Sequence, residues 1–361
     1  MKKAALLTAF DPSAFKGGIE VYSSNLIRLL GDFQVATDVY HSGLAGGAHG
    51  FHNDYLGKLY LAGQMLKERE GDYDIIIANS FYGFGYFPPG RRTFTVYHAT
   101  HAGFAEAVRE RVSPASYLQL RRIYGDLCEG AGGFGRTPIA VSEGVGRELA
   151  AWYGYEGVRV VPNGVDTDLF RKRDPLLARK KWGLPEDAFI GMYAGRWEDF
   201  KGADIVEAII RNVPDVLWII ALGTGGQQPA LSGRDNVLLF EEAESDALAE
   251  LYSAADFLLF PSLYEGFGYV VAEALACGLP VLSTRVGVAR EVFDREPFRL
   301  LSLPDWSGGR EVLLSSCAGK IELLRGNPLL REEVAKAGRR IVEEEYSLSR
   351  WRTRMAEALG L

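Results

Sequence analysis

Short apolar runs alternate with longer amphipathic stretches along this 361-residue chain. In the first half, Ala4–Ala9, Ile75–Ala78, Thr93–Tyr97, Ile139–Val141 and Val158–Val161 have strand length, and helical periodicity falls between them at Val21–Leu30 and Tyr55–Arg69. The second half repeats the scheme with strand runs at Ala188–Tyr193, Leu217–Ala221, Asn236–Phe240, Phe257–Phe260 and Pro280–Ser283. Its helical stretches include Ala203–Arg211, Ser245–Ala254 and Gly268–Cys277. Continuously apolar strands separated by helices predict parallel sheets covered on both faces, the α/β class. The chain is too long for one ordinary core. We therefore expect two Rossmann-like domains, residues 1–165 and 166–345, with periodicity broken near Pro162–Pro185. The amphipathic closing stretch, residues 346–361, is expected to pack back on the first domain. Such folds bind ligands at the C-terminal ends of their strands, so a site between the domains would draw on loops that directly follow strands.

Composition narrows the function. The apolar fraction of 47% and charged fraction of 24% are those of a soluble globular protein, and no stretch approaches 18 uninterrupted apolar residues. The start faintly mimics a signal peptide, but Asp11 and Pro12 close its apolar run, which reads better as a first strand. Cys128, Cys277 and Cys317 form neither a metal pattern nor a disulfide framework, which fits a cytoplasmic protein. The net charge of -7 argues against nucleic acid as a partner. Arg109, Arg111, Arg121 and Arg122 form a small cluster suited to an anionic acceptor or lipid headgroups. It also reads as a solvated helix face offset by Glu106 and Glu110.

The stretch with the most chemistry is Pro261-Ser-Leu-Tyr-Glu265-Gly-Phe-Gly-Tyr-Val-Val-Ala-Glu273. Cys277-Gly278-Leu-Pro280 is a helix stop, so Glu265 should lie in a strand-to-helix turn and Glu273 about one turn into the helix. The N–H groups of Gly266, Phe267 and Gly268 would then sit at the positive helix end, where a diphosphate fits. Carboxylates nearby suit sugar hydroxyls. Arg196 and Lys201 follow another strand run within Gly195-Arg196-Trp-Glu-Asp-Phe-Lys201-Gly202 and can hold phosphate oxygens, or pair with Glu198 and Asp199. Gly17 and Gly18 follow the first strand and would let backbone approach a phosphate or sugar. Leu222-Gly-Thr-Gly-Gly226 is either a phosphate loop or a plain turn. Asp166 and Asp168, in an Asn-Gly turn, read as turn chemistry rather than a metal site. His98 and His101 follow the strand Thr93–Tyr97 and carry no third metal ligand. His98 reads as a hydrogen-bond partner for a reacting sugar or as a satisfied loop histidine.

In this order the pieces resemble the large family 4 of retaining glycosyltransferases, also called group 1, which has the GT-B fold of two Rossmann-like domains facing a central cleft. The resemblance runs over nearly the whole chain. It rests on the Gly17-Gly18 loop, His98, Pro162-Asn-Gly-Val-Asp166, Gly195-Arg196…Lys201-Gly202 and, most specifically, Glu265-x7-Glu273 with Glu-Gly-Phe-Gly and Cys-Gly-Leu-Pro-Val around it. It implies an N-terminal acceptor domain and a C-terminal donor domain. Arg196 and Lys201 would bind the donor diphosphate as leaving group, and Glu273 the ribose. Glu265, Gly266, Phe267 and Gly268 would hold the donor sugar and phosphates, with Gly17, Gly18 and His98 contributing from the first domain. It further implies retention of configuration, with a donor phosphate oxygen taking the acceptor proton, and no metal or cofactor. The donor is a nucleoside diphosphate sugar, and the acceptor a saccharide or glycolipid, compatible with peripheral contact at the inner membrane face. Acceptor contacts are expected from Ser42–Asn53, Phe81–Pro89 and His98–Arg122, and base contacts from backbone near Phe240–Glu242. The competing readings are a non-catalytic sugar-nucleotide-binding protein and another GT-B enzyme, an epimerase or a phosphorylase.

Overall fold

The computed structural model describes residues 2–14, 17–45, 54–90, 92–231 and 233–361. Lys16 and residues 46–53 of the expected acceptor loop lie outside them. The chain forms two compact units, Met1–Asn163 with Trp351–Leu361, and Gly164–Arg350.

The first unit is built on strands β1 (Lys2–Leu7), β2 (Val35–Tyr40), β3 (Ile75–Asn79), β4 (Thr93–Tyr97), β5 (Thr137–Ala140) and β6 (Arg159–Val160). They form one sheet in the order β2-β1-β3-β4-β5-β6. Every pairing is parallel. Residues 75–79 and 93–97 are buried throughout, as strands covered on both faces must be. Strand β2 was not expected. Its Val-Ala-Thr-Asp-Val-Tyr sequence is broken by Asp38, which an edge strand tolerates and which accepts a hydrogen bond from the Tyr73 hydroxyl at 2.8 Å.

In the second unit β7 (Ile190–Gly195), β8 (Leu217–Leu222), β9 (Val237–Glu241), β10 (Phe257–Phe260) and β11 (Val281–Ser283) form a sheet in the order β11-β10-β7-β8-β9. It too is parallel throughout. The strand order reverses between β7 and β10 here, and between β1 and β3 in the first unit. At such a switch point the connections leave in opposite directions and open a crevice at the strand ends. Within the second unit its two ends run beside each other: Val165 N–H donates to Tyr346 O and Leu348 N–H to Val165 O, both at 2.8 Å.

The arginine cluster is paired as a solvated face would be. Arg109 and Arg121 face Glu106 at 3.7 and 3.9 Å, and Arg121 and Arg122 share Asp126. Among the described residues no helix is long and apolar enough to cross a membrane.

Candidate functional site

In the second unit the candidate residues fall on the two strands that flank the switch point. Strand β7 ends at Gly195, and Arg196 follows it. A turn of 3₁₀ helix, Asp199–Lys201, carries Lys201 to Gly202, which opens the helix Ala203–Asn212. Gly202 has φ +77°, and a Cβ there would lie 2.4 Å from the carbonyl oxygen of Pro261. Only glycine lets the β7 loop lie this close to the β10 loop. Leu263 N–H then donates to Phe200 O at 2.9 Å, and Ser262 Oγ lies 3.3 Å from the same oxygen.

That strap brings Lys201 and Glu265 together, Nζ to Oε1 at 2.6 Å, with Ser262 Oγ donating to the same carboxylate oxygen at 3.0 Å. Both side chains are largely buried, so the pair is held in a medium where charge acts strongly. Arg196 is more open and pairs with Glu198 at 3.2 Å. Its backbone is fixed from behind, since Tyr193 OH donates to Arg196 O at 2.5 Å. Both cations also lie over the Phe200 ring, at 5.3 and 5.6 Å from its centre. The Gly223–Gly226 loop belongs to the same end of the sheet. Gly223 N–H donates to Gly195 O at 2.9 Å, and a Cβ on Gly226 would meet Trp197 N at 2.5 Å.

Glu265 lies in the loop after β10, and the helix Tyr269–Ala276 starts beyond Gly268, whose φ is +84°. Glu273 projects from the second turn of that helix. Its carboxyl has Tyr252 OH at 3.5 Å, and burial pushes its pKa up to about 7. The helix stops at a left-handed Gly278 with φ +71°, where Gly278 and Leu279 N–H cap the Leu275 and Ala274 carbonyls. Gly287 was missed by sequence reasoning. Its φ is +51°, and a Cβ on it would sit 2.2 Å from Phe267 O, which Val288 N–H caps at 2.6 Å. The one available signal was a glycine a few residues beyond a buried strand.

In the first unit Gly17 is the extended N-cap and Gly18 the first residue of the helix Gly18–Asp32. His98 follows β4. Its Nε2 lies 3.0 Å from Asn79 Oδ1, its backbone N–H donates to Ser80 Oγ, and the Tyr22 ring meets the imidazole edge-on at 4.6 Å. Burial holds the imidazole pKa down to about 3, so the ring is neutral. His101 is held separately. Glu129, fully buried, accepts its backbone N–H at 2.7 Å and its Nδ1 at 2.8 Å, while Tyr124 stacks on the ring. Sequence reasoning found neither Asn79 nor Glu129, because both meet their histidines only through the tertiary fold.

The Asp-x-Asp reading resolves locally. Asp166 Oδ1 caps Asp168 N–H and Leu169 N–H, so the Asp-x-Asp is turn chemistry. Among the described residues no group of three His, Cys, Asp or Glu could hold a metal ion.

Residues 16–169 match Glycosyltransferase Family 4, and residues 177–297 match Glycosyl transferases group 1. The chain belongs to the family 4, group 1 glycosyltransferases. A D-inositol 3-phosphate glycosyltransferase of Xylanimonas cellulosilytica is 35% identical over 173 residues, which cover 43% of this chain and 42% of that protein. The match thus spans less than half of that relative's length. The sucrose-phosphate synthase of Thermosynechococcus elongatus superposes over 99% of this chain and 98% of its own, with TM-score 0.80 and 21% identity. HepE of Anabaena, solved with UDP-glucose, covers 100% of both chains with TM-score 0.71 and 18% identity. These likenesses carry the GT-B fold that the family 4, group 1 enzymes share.

Proposed function

We propose that this glycosyltransferase moves a sugar, with retention of anomeric configuration, from a nucleoside diphosphate sugar to a hydroxyl of a saccharide or glycolipid acceptor, without a metal ion. The carrying observation is that the loops after β7 and β10, strands adjacent in the sheet, bring Arg196, Lys201, Glu265 and the start of the Tyr269–Ala276 helix to one switch point. Cleaving the donor puts negative charge on the departing diphosphate. Lys201, Arg196 and the positive helix end supply fixed positive charge for it, which removes the need for a metal. Lys201 is held ready by Glu265, and Arg196 by the weaker contact to Glu198, from which a phosphate can draw it. Glu273, half-buried behind this group, suits the two hydroxyls of a ribose.

The remaining assignments belong to the same proposal: Gly17 and Gly18 as backbone donors, and His98 beside the donor sugar. The acceptor hydroxyl attacks from the leaving-group face, and a donor phosphate oxygen takes its proton. The likeness to HepE makes UDP the first nucleotide to try, with GDP and ADP beside it. The test is calorimetric binding of UDP, GDP and ADP in EDTA by wild type and Glu273→Ala. One nucleotide should bind, and the variant should bind it about ten- to a hundred-fold more weakly, the worth of a hydrogen bond to a charged group. Binding that requires an added divalent ion would refute the metal-free reading. Equal affinity of the variant would refute the ribose assignment.

A further inference from the structure

The neighbours of Asn79 fix more than its own position. Asn79 is wholly buried at the end of β3, at the switch point of the first sheet. Its Nδ2 lies 2.8 Å from Ser23 Oγ and 3.3 Å from Thr8 Oγ1. Ser23 spends its own hydroxyl proton on Ile19 O at 2.7 Å, one turn back in the helix that Gly17 caps. Ser23 Oγ can therefore only accept from Asn79, which orients the amide: nitrogen towards Ser23, Oδ1 towards His98. An amide oxygen donates nothing, so the 3.0 Å contact requires the proton on His98 Nε2. The other nitrogen, Nδ1, is then an acceptor. The Tyr22 ring against the imidazole keeps it from turning over.

We propose that Asn79 is the positioning residue that locks His98 as the Nε2–H tautomer, so that Nδ1 accepts a hydrogen bond from a hydroxyl of the donor sugar and disfavours a carboxylate or phosphate there. The chain Ile19–Ser23–Asn79–His98 ties the glycine-opened helix to the sugar contact by three hydrogen bonds. Neutrality completes the device, because an imidazole desolvated by its surroundings does not switch to imidazolium near pH 7. Glu129, by contrast, takes the Nδ1 side of His101, so the two histidines turn opposite nitrogens to their partners. The sugar contact rests on the nucleotide-sugar reading above; the tautomer does not.

The experiment is ¹⁵N NMR of the full chain with labelled histidine. In wild type His98 should show a protonated Nε2 and an unprotonated Nδ1 from pH 6 to 8. Adding UDP-glucose should move the Nδ1 resonance as a hydrogen bond forms, and UDP alone should not; GDP-mannose and ADP-glucose with their nucleotides serve where UDP does not bind. Asn79→Asp keeps an acceptor and should keep the tautomer. Asn79→Leu should mix the tautomers and lose about tenfold of the affinity that the sugar adds over the bare nucleotide, leaving nucleotide affinity unchanged. Ser23→Ala frees the amide to flip and tests the same lock should Asn79→Leu fail to fold. A proton on Nδ1 in wild type overturns the proposal, whatever binds. An Nδ1 resonance indifferent to every bound nucleotide sugar overturns the sugar contact. Failure of all three nucleotides to bind instead refutes the function proposed above and leaves the tautomer result standing.

Discussion

At the scale of single residues the second unit sets Glu273 against the stability of its own fold. Its pKa of about 7 stands well above the ordinary 4.5 because burial disfavours the carboxylate. A group whose folded pKa is raised makes the folded state gain protons. Its stabilising effect is full below pH 4.5 and lost as the pH rises through 7. Glu273→Gln carries no such cost, so the variant should be more stable than wild type by on the order of 2–3 kcal/mol at pH 8 and by almost nothing at pH 4. Urea unfolding at the two pH values measures this, and an equal difference at both would contradict it. Nucleotide binding runs the other way. If ribose hydroxyls donate to the carboxylate, binding should release a proton and weaken about tenfold from pH 8 to pH 6. Calorimetry in buffers of different ionisation enthalpy reads the proton directly. Arg196, exposed and loosely paired, has a different signature. Arg196→Ala should lower turnover more than donor affinity, because the charge it meets grows in the transition state. Unchanged turnover with weakened binding would remove it from the leaving-group role.

At the scale of elements, the loop between β10 and its helix is shaped by contacts from outside its own segment. Gly287 supports it through Phe267 O at a distance no side chain allows, in a backbone conformation that side chains resist. Gly287→Ala should therefore cost about 2–4 kcal/mol and weaken nucleotide binding through the displaced Gly266–Gly268 backbone. A stability change within 0.5 kcal/mol in urea unfolding would mean the loop gives way freely. The same distinction separates what was readable in the sequence from what was not. The strand-turn-helix around Glu265 and Glu273 was legible because its signals are local: an apolar run, a Gly-Phe-Gly turn, and a Cys-Gly-Leu-Pro stop. Strand β2 was hidden by Asp38, whose polarity matters little at a sheet edge. The reasons for Gly287, Asn79 and Glu129 lie in groups 19 or more positions away along the chain. The pairings of Arg196 with Glu198 and of Lys201 with Glu265 were only half visible. The first is a neighbour effect, whereas the second needs the strap between two strand loops.

At the scale of the whole chain, the first unit is not continuous in sequence. It is closed by Trp351–Leu361, which returns after 187 residues spent in the second unit. Trp351 is 2% exposed and meets Tyr22 edge-on at 5.4 Å, and Tyr22 in turn braces His98. Tyr22 OH reaches Met355 Sδ, and Arg92 donates to Leu359 O at 2.7 Å, so the returning helix is fastened along its length. The first unit's stability therefore depends on the last residues of the chain. Trp351→Ala removes a large buried ring and should cost that unit about 3–5 kcal/mol. Hydrogen exchange gives the sharper test, since opening energies differ between cooperative regions. Amides of β1, β3 and β4 should lose protection, while those of β7, β8 and β10 keep theirs. The bracing of His98 should loosen with them, so affinity for a nucleotide sugar should fall towards that of the bare nucleotide, whose proposed contacts lie in the second unit. Protection lost equally from both sheets would show instead that the two units unfold as one, and the returning helix would then be a clasp on the whole molecule rather than a part of the first unit.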